Sequence, residues 1–458
     1  MKLSLPMKRF FLGSTKLKTK HRTISTEIPN KRDIEDLENL FSNESQSMHG
    51  QYPMIWDKAY DCYVQDRHGN KWIDFTSTIF LTNAGHANKQ IIKAIKKTAK
   101  KSLLHSYTYA TSERINYLNF LIQNTPEEFE KAFLLSAGTE ATEAALKLMR
   151  LHAQSRNKKR PGIICIEGNY HGRTMGAQLM NSNESQKNWI GFKDPNIHFL
   201  PFPYEWQLEG IDPREFIQDS LNNLIARENL NPKEDICGFM LEAYQGWGAC
   251  FYPKEYVQVV REFCDEHDLL LCFDEMQAGF GRTGKLFGYQ HYDVKADILC
   301  CGKGSSSSLP LSIVLGSKQV MDLSPKGSMS STHSANPICC SAAHANFKFI
   351  LEKELIKNSE ELGIILHHEL QRIQANHSNI ISHVQGKGLV AAIIFRDSNG
   401  NNLTQLATDI CYHSLRLGLL LVNTGRESIK IGPPLCISKE ALLEGIKVIE
   451  EAIISCSQ

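Results

Sequence analysis

One lysine stands alone where an apolar stretch of the sequence ends. In DILCCGKGSSSSLP, Lys303 follows the run ILCC and lies between Gly302 and Gly304. An amine at the carboxyl end of a buried strand faces the cleft in which open α/β sheets bind ligands. Because glycines let the backbone approach a ligand closely, the pattern predicts a nucleophilic amine aimed at a carbonyl carbon. The following serines, Ser305 to Ser308, receive no role from the pattern.

Two acids end a second apolar run. The stretch LLLCFDEMQ finishes with Asp274 and Glu275 ahead of Met276 and Gln277. A carboxylate at such a strand end can hold a cation or a protonated ring nitrogen, and either acid could do so. Together, the two strand ends can place a carboxylate and the Lys303 amine on either side of a small cofactor.

Two further strand ends suit a phosphate and a planar ring. In FLLSAGTEATEAALKLM, Gly138 and Thr139 open a helix, whose free N–H groups and dipole favour an anion. In EGNYHGRTMG, Tyr170, His171 and Arg173 share one glycine-bounded loop. An aromatic face suits a planar ring, and a guanidinium group suits a carboxylate.

An amine, an acid, a phosphate site and an aromatic plate are the groups that pyridoxal phosphate requires. The lysine forms a Schiff base with its aldehyde, and the acid keeps the pyridine nitrogen protonated. The helix N-terminus holds the phosphate. These residues therefore predict a pyridoxal-phosphate site.

The glycine-rich stretch GFGRTGK matches two nucleotide-binding patterns, GxGxxG and GxxxxGK. A P-loop needs Ser or Thr after its lysine, whereas Leu286 follows here. Both patterns should also open a helix, and LFGYQHYD has no helical periodicity. The sequence therefore favours neither a P-loop nor a dinucleotide site.

Short apolar runs alternate with helical segments up to about residue 330, which predicts a mostly parallel sheet. Further on, CCSAAHANFKFILEKELI reads as one long helix, and a last helix follows the N-cap Ser438. We expect an α/β fold with a large domain and a smaller α+β domain. The predicted parts are a flexible basic arm (1–30), an N-terminal segment joining the small domain (31–75), the large cofactor-binding domain (76–335) and the C-terminal small domain (336–458).

Composition is that of a soluble globular enzyme. The 458 residues are 42% hydrophobic and 22% charged with a net charge of +1, so no global field favours nucleic acid or membrane partners. The thirteen cysteines include no CxxC pair, which favours reduced thiols and no metal site. The first 26 residues are basic and lack acids. We expect a solvated arm on a cytoplasmic protein, the alternative being a transit peptide for the mitochondrial matrix.

Several motifs resemble those of one family. FDEMQAGFGRTGKLF is similar to the most specific signature of the class III (ω-amino acid type) aminotransferases, with Met-Gln-Ala for the family's Val-Gln-Thr. AGTEATEAALK and STHSANP also resemble family motifs, and NYHGRTMG resembles the form found in 4-aminobutyrate aminotransferases. The resemblance runs from about residue 50 to the end. It implies the fold type I architecture of pyridoxal-phosphate enzymes, with a seven-stranded-type sheet.

The resemblance also implies roles for the cofactor-binding residues. Lys303 is the Schiff-base lysine, Asp274 pairs with the pyridine nitrogen, and Gln277 lies near the ring hydroxyl. Tyr170 stacks on the ring, which makes these three, Lys303, Asp274 and Tyr170, the implied catalytic set. The remaining cofactor-binding residues bind the phosphate. Gly138 and Thr139 bind it in their own subunit, and Thr332 reaches the phosphate that the neighbouring subunit binds. The last role makes a homodimer with interfacial active sites part of the prediction.

The implied substrate-binding residues are Arg173, Glu242 and Lys430. Arg173 receives a substrate carboxylate. Glu242 pairs in relatives with a second arginine, which is uncovered when an α-carboxylate binds. That arginine's position, before Pro-Pro-Leu, is Lys430 here, which keeps the charge but loses the bidentate fork. Thr78 for a usual glycine and Ala243 for a usual proline indicate an altered pocket.

We therefore predict a transaminase that moves an amino group from an amino acid to a 2-oxo acid, with Lys303 also carrying the proton. The expected donor is an ω-amino acid such as 4-aminobutyrate, and the expected acceptor is 2-oxoglutarate or pyruvate. The nearest alternative is an amino-acid racemase or epimerase of the same fold, which uses the same residues. A non-catalytic dimeric binding protein is the alternative from another class.

Overall fold

The computed structural model describes residues 16–49 and 52–457. The described strands, β1 to β17 in chain order, are Leu17–Lys18, Thr23–Ile24, Trp56–Tyr60, Tyr63–Asp66, Lys71–Asp74, Lys131–Leu135, Gly162–Ile166, Ile197–Leu200, Ile236–Glu242, Leu270–Asp274, Ile298–Cys301, Ser312–Gly316, Ile381–Lys387, Val390–Phe395, Leu419–Leu420, Val422–Asn423 and Ser428–Ile431. The described right-handed helices, α1 to α13, are Lys31–Asn43, Lys89–Ala99, Ser112–Gln123, Gly138–Ser155, Met175–Leu179, Pro213–Glu228, Pro232–Asp235, Lys254–His267, Lys318–Met321, Pro337–Glu352, Leu355–Asn376, Thr404–Arg416 and Lys439–Cys456.

A seven-stranded sheet forms the centre of the molecule, with the order β6-β12-β11-β10-β9-β7-β8. Six strands run parallel, and β12 is antiparallel to both of its neighbours. Strands β7, β9 and β10 are buried along their whole length, which explains their continuous apolar runs. The predicted α/β fold with a mostly parallel sheet is confirmed.

Because β7, β9, β10 and β11 are parallel, their carboxyl ends meet at one edge of the sheet. Helix α4 packs on the sheet through an apolar face that includes Ala141, Ala145 and Leu148, all fully buried. The N-terminus of α4 lies near the same edge, since Gly138 approaches Met276 after β10. The fold thus brings four separate loops of the sequence together.

Part of the predicted N-terminal arm is folded, which corrects the expectation of a solvated segment over residues 1–30. Strands β1 and β2 form an antiparallel hairpin that joins β5 through Thr23 and Lys71. Ile24 and Ile28 are buried in a cluster with Trp72, so apolar burial holds this segment down. Residues 1–15 of the predicted arm lie outside the described residues.

The hairpin belongs to a six-stranded sheet, in which β15 from the C-terminal region pairs in parallel with β5. A second, antiparallel sheet of the C-terminal region has the order β13-β14-β17-β16. The long helix expected after residue 338 is two helices, α10 and α11, because Glu354 has a left-handed φ of 50°. The hydroxyl of Ser438 accepts from the N–H of Ala441 and caps α13 as predicted.

The segment Ser77–Phe80, after β5, forms a left-handed turn. All four residues are non-glycine, and their φ angles run from 44° to 65°. Such a run is rare because each Cβ crowds the following carbonyl oxygen. Across the described residues, no helix is both long and apolar enough to span a bilayer.

Candidate active site

A cavity of about 310 Å³ opens at the carboxyl edge of the large sheet. Eight of the predicted site residues line it: Gly138, Thr139, Tyr170, Arg173, Glu242, Asp274, Gln277 and Lys303. Lys430 adjoins this group by a hydrogen bond to Gln277. Thr332 is not among the lining residues; its carbonyl oxygen accepts from His105 Nε2 at 2.7 Å on an exposed part of the surface.

Only one of the two acids after β10 faces the cavity. Asp274 lines it, and its Oδ1 accepts from the N–H of Met276 at 3.0 Å. Glu275 points away, and its carboxylate accepts from the N–H groups of Gly288 at 2.8 Å and Tyr289 at 2.7 Å. Burial raises the pKa of Glu275 to about 8, although these two hydrogen bonds lower it. Asp274 is therefore the acid available to a ligand.

His171 supports Asp274 from the loop after β7, the second strand along the sheet from β10. Its Nδ1 donates to Asp274 Oδ2 at 2.9 Å, and its side chain is fully buried. The backbone carbonyl of His171 accepts from the hydroxyl of Thr142 at 2.8 Å. The sequence placed His171 in the right loop, but only the structure shows the carboxylate it contacts.

Lys303 stands in a short 3-10 turn directly after β11, with a left-handed φ of 40°. Burial lowers the pKa of its amine, and the carboxylates of Asp274 and Glu242 oppose this effect. A Cβ at Gly302 would lie 2.6 Å from Met276 Sδ, and one at Gly304 would lie 2.4 Å from Asn83 Nδ2. The side chains of Met276 and Asn83 therefore pack closely against the glycines on either side of the lysine.

The serines after Lys303 form the turn itself. Ser305, Ser306 and Ser307 are buried. The Ser305 hydroxyl donates to Leu311 O at 3.1 Å, and the Ser307 hydroxyl accepts from the N–H of Ala84 at 3.1 Å. Serine hydroxyls commonly satisfy local backbone groups in this way. These hydrogen bonds fix the conformation of the loop after Lys303.

Glu242 lines the cavity, and Lys430 lies behind Gln277, which also lines it. Glu242 Oε2 accepts from the N–H of Tyr170 at 3.2 Å, whereas Lys430 Nζ donates to Gln277 Oε1 at 3.2 Å. Burial and the charge of Asp274 raise the pKa of Glu242 to about 8. Burial and the charge of Lys303 lower the pKa of Lys430 to about 7. Each of the two side chains thus has a hydrogen-bond partner other than the other one.

The proposed anion site lies at the first turn of α4. Gly138 lacks room for a side chain, because a Cβ there would lie 2.8 Å from Met276 Sδ. The hydroxyls of Thr139 and Thr174 are 2.5 Å apart. A Cβ on Gly172 would come within 2.3 Å of Thr139 Oγ1. Both glycines therefore lie where the neighbouring side chains pack closely against the backbone.

Tyr170 and Arg173 form the more exposed wall. Tyr170 is 42% exposed, and the guanidinium carbon of Arg173 lies 5.9 Å from the centroid of its ring. This arrangement leaves an aromatic face and a cation available at one side of the cavity. Another aromatic residue, Tyr244, lines the cavity wall but was missed by the sequence reading; it is buried, and its hydroxyl has no partner among the described atoms.

The residues present fit pyridoxal phosphate. The donor set contains one buried amine, one carboxylate held by a histidine, a helix N-terminus lined by glycines and an aromatic face. The Nε2 atom of His171 is buried without a partner among the described atoms. The described residues contain no cluster of three or more His, Cys, Asp or Glu side chains able to hold a metal ion.

Known proteins match over most of the chain. The family model for class-III aminotransferases matches residues 45–453. The ornithine aminotransferase of Saccharomyces cerevisiae is 32% identical over 411 residues, covering 88% of this chain and 93% of that protein. The alanine/serine racemase of Pyrococcus horikoshii is 31% identical over 414 residues, covering 88% and 86%. An aminotransferase structure from Bacillus anthracis superposes with a TM-score of 0.84 at 25% identity, covering 93% and 99%.

Proposed function

The chain belongs to the class-III aminotransferase family, and from this membership we propose that it transfers an amino group from an ω-amino acid to a 2-oxo acid. It is a pyridoxal-phosphate-dependent transaminase of fold type I. The finer assignment concerns the two substrates. The relatives named above act, by their names, on ornithine or on alanine and serine, so they do not single out 4-aminobutyrate.

The observation that carries the proposal is the meeting of Lys303 and Asp274 in one cavity. The two residues end neighbouring parallel strands, β11 and β10. A transaminase needs an amine and an acid on one bound cofactor, and these two loops provide them from rigid elements. The assignment of each residue's role remains part of the proposal.

When bound, pyridoxal phosphate supplies the electron sink for carbanion character at the substrate carbon. Lys303 would hold it covalently, Asp274 its ring nitrogen, and Gly138 and Thr139 its phosphate. Gln277 would lie near the ring hydroxyl and Tyr170 against the ring. These assignments use the cavity-lining groups of the structure.

The chain's own residues account for the proton transfer. Burial lowers the pKa of Lys303, which favours the neutral amine that can accept a proton. The neutral Nζ of Lys303 would accept the proton from the substrate carbon that bears the amino group and would donate it back in a second step. His171 keeps the Asp274 carboxylate oriented during both steps.

Arg173 would bind the substrate carboxylate remote from the reacting amine. Its guanidinium lies beside the Tyr170 ring at the open wall of the cavity. Lys430, at the end that holds Glu242 and Gln277, would bind the second carboxylate as a point charge. The acceptor, a 2-oxo acid such as 2-oxoglutarate or pyruvate, would place a carboxylate at this end.

A racemase or epimerase is the second candidate, favoured by the 31% identity to the alanine/serine racemase. Such an enzyme reprotonates the α-carbon from which the proton was taken. The predicted residues serve both reactions. The relatives named ornithine aminotransferase and the family model favour transamination.

We also propose a homodimer, in which Thr332 reaches the phosphate bound by the other subunit. Its position outside the cavity of its own chain is compatible with that role. A cytoplasmic location, or the mitochondrial matrix if the basic N-terminus is a transit peptide, stays a proposal from the sequence.

The proposed activity is tested with a panel of donors and acceptors. The purified, cofactor-loaded enzyme is given 4-aminobutyrate, ornithine, alanine or serine together with 2-oxoglutarate or pyruvate, and amino transfer is followed by mass spectrometry. We expect transfer from an ω-amino donor. Inversion of a chiral amino acid without a 2-oxo acid, and without net transfer, would favour the racemase instead.

A further inference from the structure

The left-handed turn Ser77–Phe80 is held against the strand end that carries Lys430. The hydroxyl of Ser77 donates to the carbonyl of Gly432 at 2.6 Å, and Arg282 Nη2 donates to that hydroxyl at 3.3 Å. Four consecutive non-glycine residues with positive φ cost conformational free energy. Strain of this kind persists where the surrounding structure enforces it, and it is concentrated at functional sites.

The last residue of the turn, Phe80, places its ring against Lys430. Phe80 is 1% exposed, and the Lys430 ammonium nitrogen lies 4.8 Å from its ring centroid. An ammonium over an aromatic face is attracted by the ring quadrupole, most strongly when both are out of water. The hydrogen bond from Lys430 Nζ to Gln277 then places this amine between the ring and the cavity wall.

Arg282 is a second cation that lies against the Phe80 ring. Its guanidinium is fully buried and lies 5.5 Å from the Phe80 centroid. Its nitrogens donate to Leu389 O at 3.0 Å, to Asn83 Oδ1 at 2.7 Å and to Pro433 O. Because these acceptors belong to separate segments, the cation and the ring cannot shift independently of the loops around them.

Gly432 leaves the space that the ring fills. A Cβ at Gly432 would lie 1.8 Å from Phe80 Cε1, a distance too short for two non-bonded carbon atoms. The N–H of Gly432 donates to Phe75 O at 2.7 Å, so the backbone cannot retreat without breaking that bond. Phe80, Lys430 and Gly432 are therefore packed as one unit.

We propose that Phe80 is a positioning residue for Lys430, holding its ammonium where it receives the carboxylate of the 2-oxo acid. The inference deepens the proposed function and rests on it. It also gives a reason for lysine at this position. A guanidinium is bulkier than an ammonium, and the ring already lies close to the end of the Lys430 side chain. An arginine at this position would have to fit its larger head group beside the same ring.

A double-mutant cycle tests this coupling. The variants are Phe80→Ala, Lys430→Arg and the two together, each loaded with cofactor. Steady-state kinetics give kcat and KM for the 2-oxo acid and, separately, for the amino donor. Glutarate, an unreactive dicarboxylate, serves as a binding probe by calorimetry. Phe80→Leu keeps much of the apolar volume without the ring, and Phe129→Leu is the control for a buried phenylalanine packed elsewhere, against Tyr289.

We expect Phe80→Ala and Phe80→Leu to raise the 2-oxo acid KM and the glutarate Kd by about tenfold, the scale of a desolvated cation–π contact. The donor KM should change much less. Lys430→Arg alone should also weaken glutarate binding, and the double variant should recover part of the loss. Phe129→Leu should leave both constants near the wild-type values.

Additive effects in the cycle, or an unchanged glutarate Kd in Phe80→Leu, would overturn the positioning role. Thermal melts monitored by circular dichroism identify any variant that fails to fold. Absence of amino transfer in the wild-type enzyme would instead refute the proposed function, and the glutarate measurement would still report on Phe80.

Discussion

His171 and Asp274 are joined by a buried hydrogen bond, with 2.9 Å between Nδ1 and Oδ2. One residue comes from the loop after β7 and the other from the end of β10, so the contact exists only in the folded sheet. It holds the carboxylate whose second oxygen accepts from the N–H of Met276. The acid is thereby oriented before a ligand binds.

Replacing His171 with alanine should weaken pyridoxal-phosphate binding by about tenfold to a hundredfold, because a hydrogen bond to a charged group contributes about 1.5–3 kcal/mol. Titration of the apoenzyme, followed by visible absorbance, gives the Kd. His198→Ala is the matched control, since His198 is buried in strand β8 and does not line the cavity. Equal losses in both variants would indicate general destabilisation.

Lys303 should be the residue to which pyridoxal phosphate becomes attached. Borohydride reduction followed by peptide mass mapping should place the cofactor on Lys303, and Lys303→Ala should lose both the adduct and the activity. Lys430 is the informative competitor, because it is a second buried amine whose pKa is lowered. An adduct mapped to Lys430 would show that the assignment is wrong.

The affinity for the 2-oxo acid should fall as the pH rises through about 7. Burial and the charge of Lys303 lower the pKa of Lys430 to about 7, so its ammonium form is present below that pH and is lost above it. A carboxylate therefore gains its partner on the acid side. KM for the 2-oxo acid, measured from about pH 6 to about pH 9, should rise most steeply near neutrality.

Glu242 and Lys303 also titrate in this cavity, so the wild-type profile is compared with that of Lys430→Met. The variant should have a high KM at every pH and lack the step near neutrality. A step of undiminished size in Lys430→Met would mean that another group controls acceptor binding.

Gly432→Ala should destabilise the fold by about 1–3 kcal/mol, the usual cost of overpacking, because its methyl group would overlap the Phe80 ring. Urea unfolding gives the change in free energy. Phe80→Ala introduced into the same chain should reduce that penalty, since the ring is the clashing group. If the combined variant loses the sum of both effects, the strain lies elsewhere.

Thr332→Ala should loosen cofactor binding by about tenfold or more, if its hydroxyl binds the phosphate held by a second subunit. Analytical ultracentrifugation should find a dimer for both the wild type and the variant. Ser328→Ala, in the same surface segment, is the control. A monomeric wild-type enzyme with full activity would contradict the interfacial assignment.

Much of this molecule could be predicted from the chain because its signals are local. The apolar runs of β7, β9, β10 and β11 each end at, or lead within a few residues to, a chemically distinctive side chain, and parallel strands bring such ends to one edge. The helix after Gly138 and the cap at Ser438 depend on neighbours within a few residues. Folding of residues 17–24 was missed because a basic, Ser/Thr-rich composition gives no sign of the sheet edge that β5 offers.

The sequence by itself determined the parallel-sheet fold, the cofactor and most of the residues that line its cavity. The tertiary structure decided what depends on distance between remote segments: that His171 holds the Asp274 carboxylate, and that Lys430 donates to Gln277. The contact of Phe80 with Lys430 likewise joins two segments that are remote from each other in the sequence. Side-chain direction at the end of a strand is set by what packs around it, and no local periodicity encodes that.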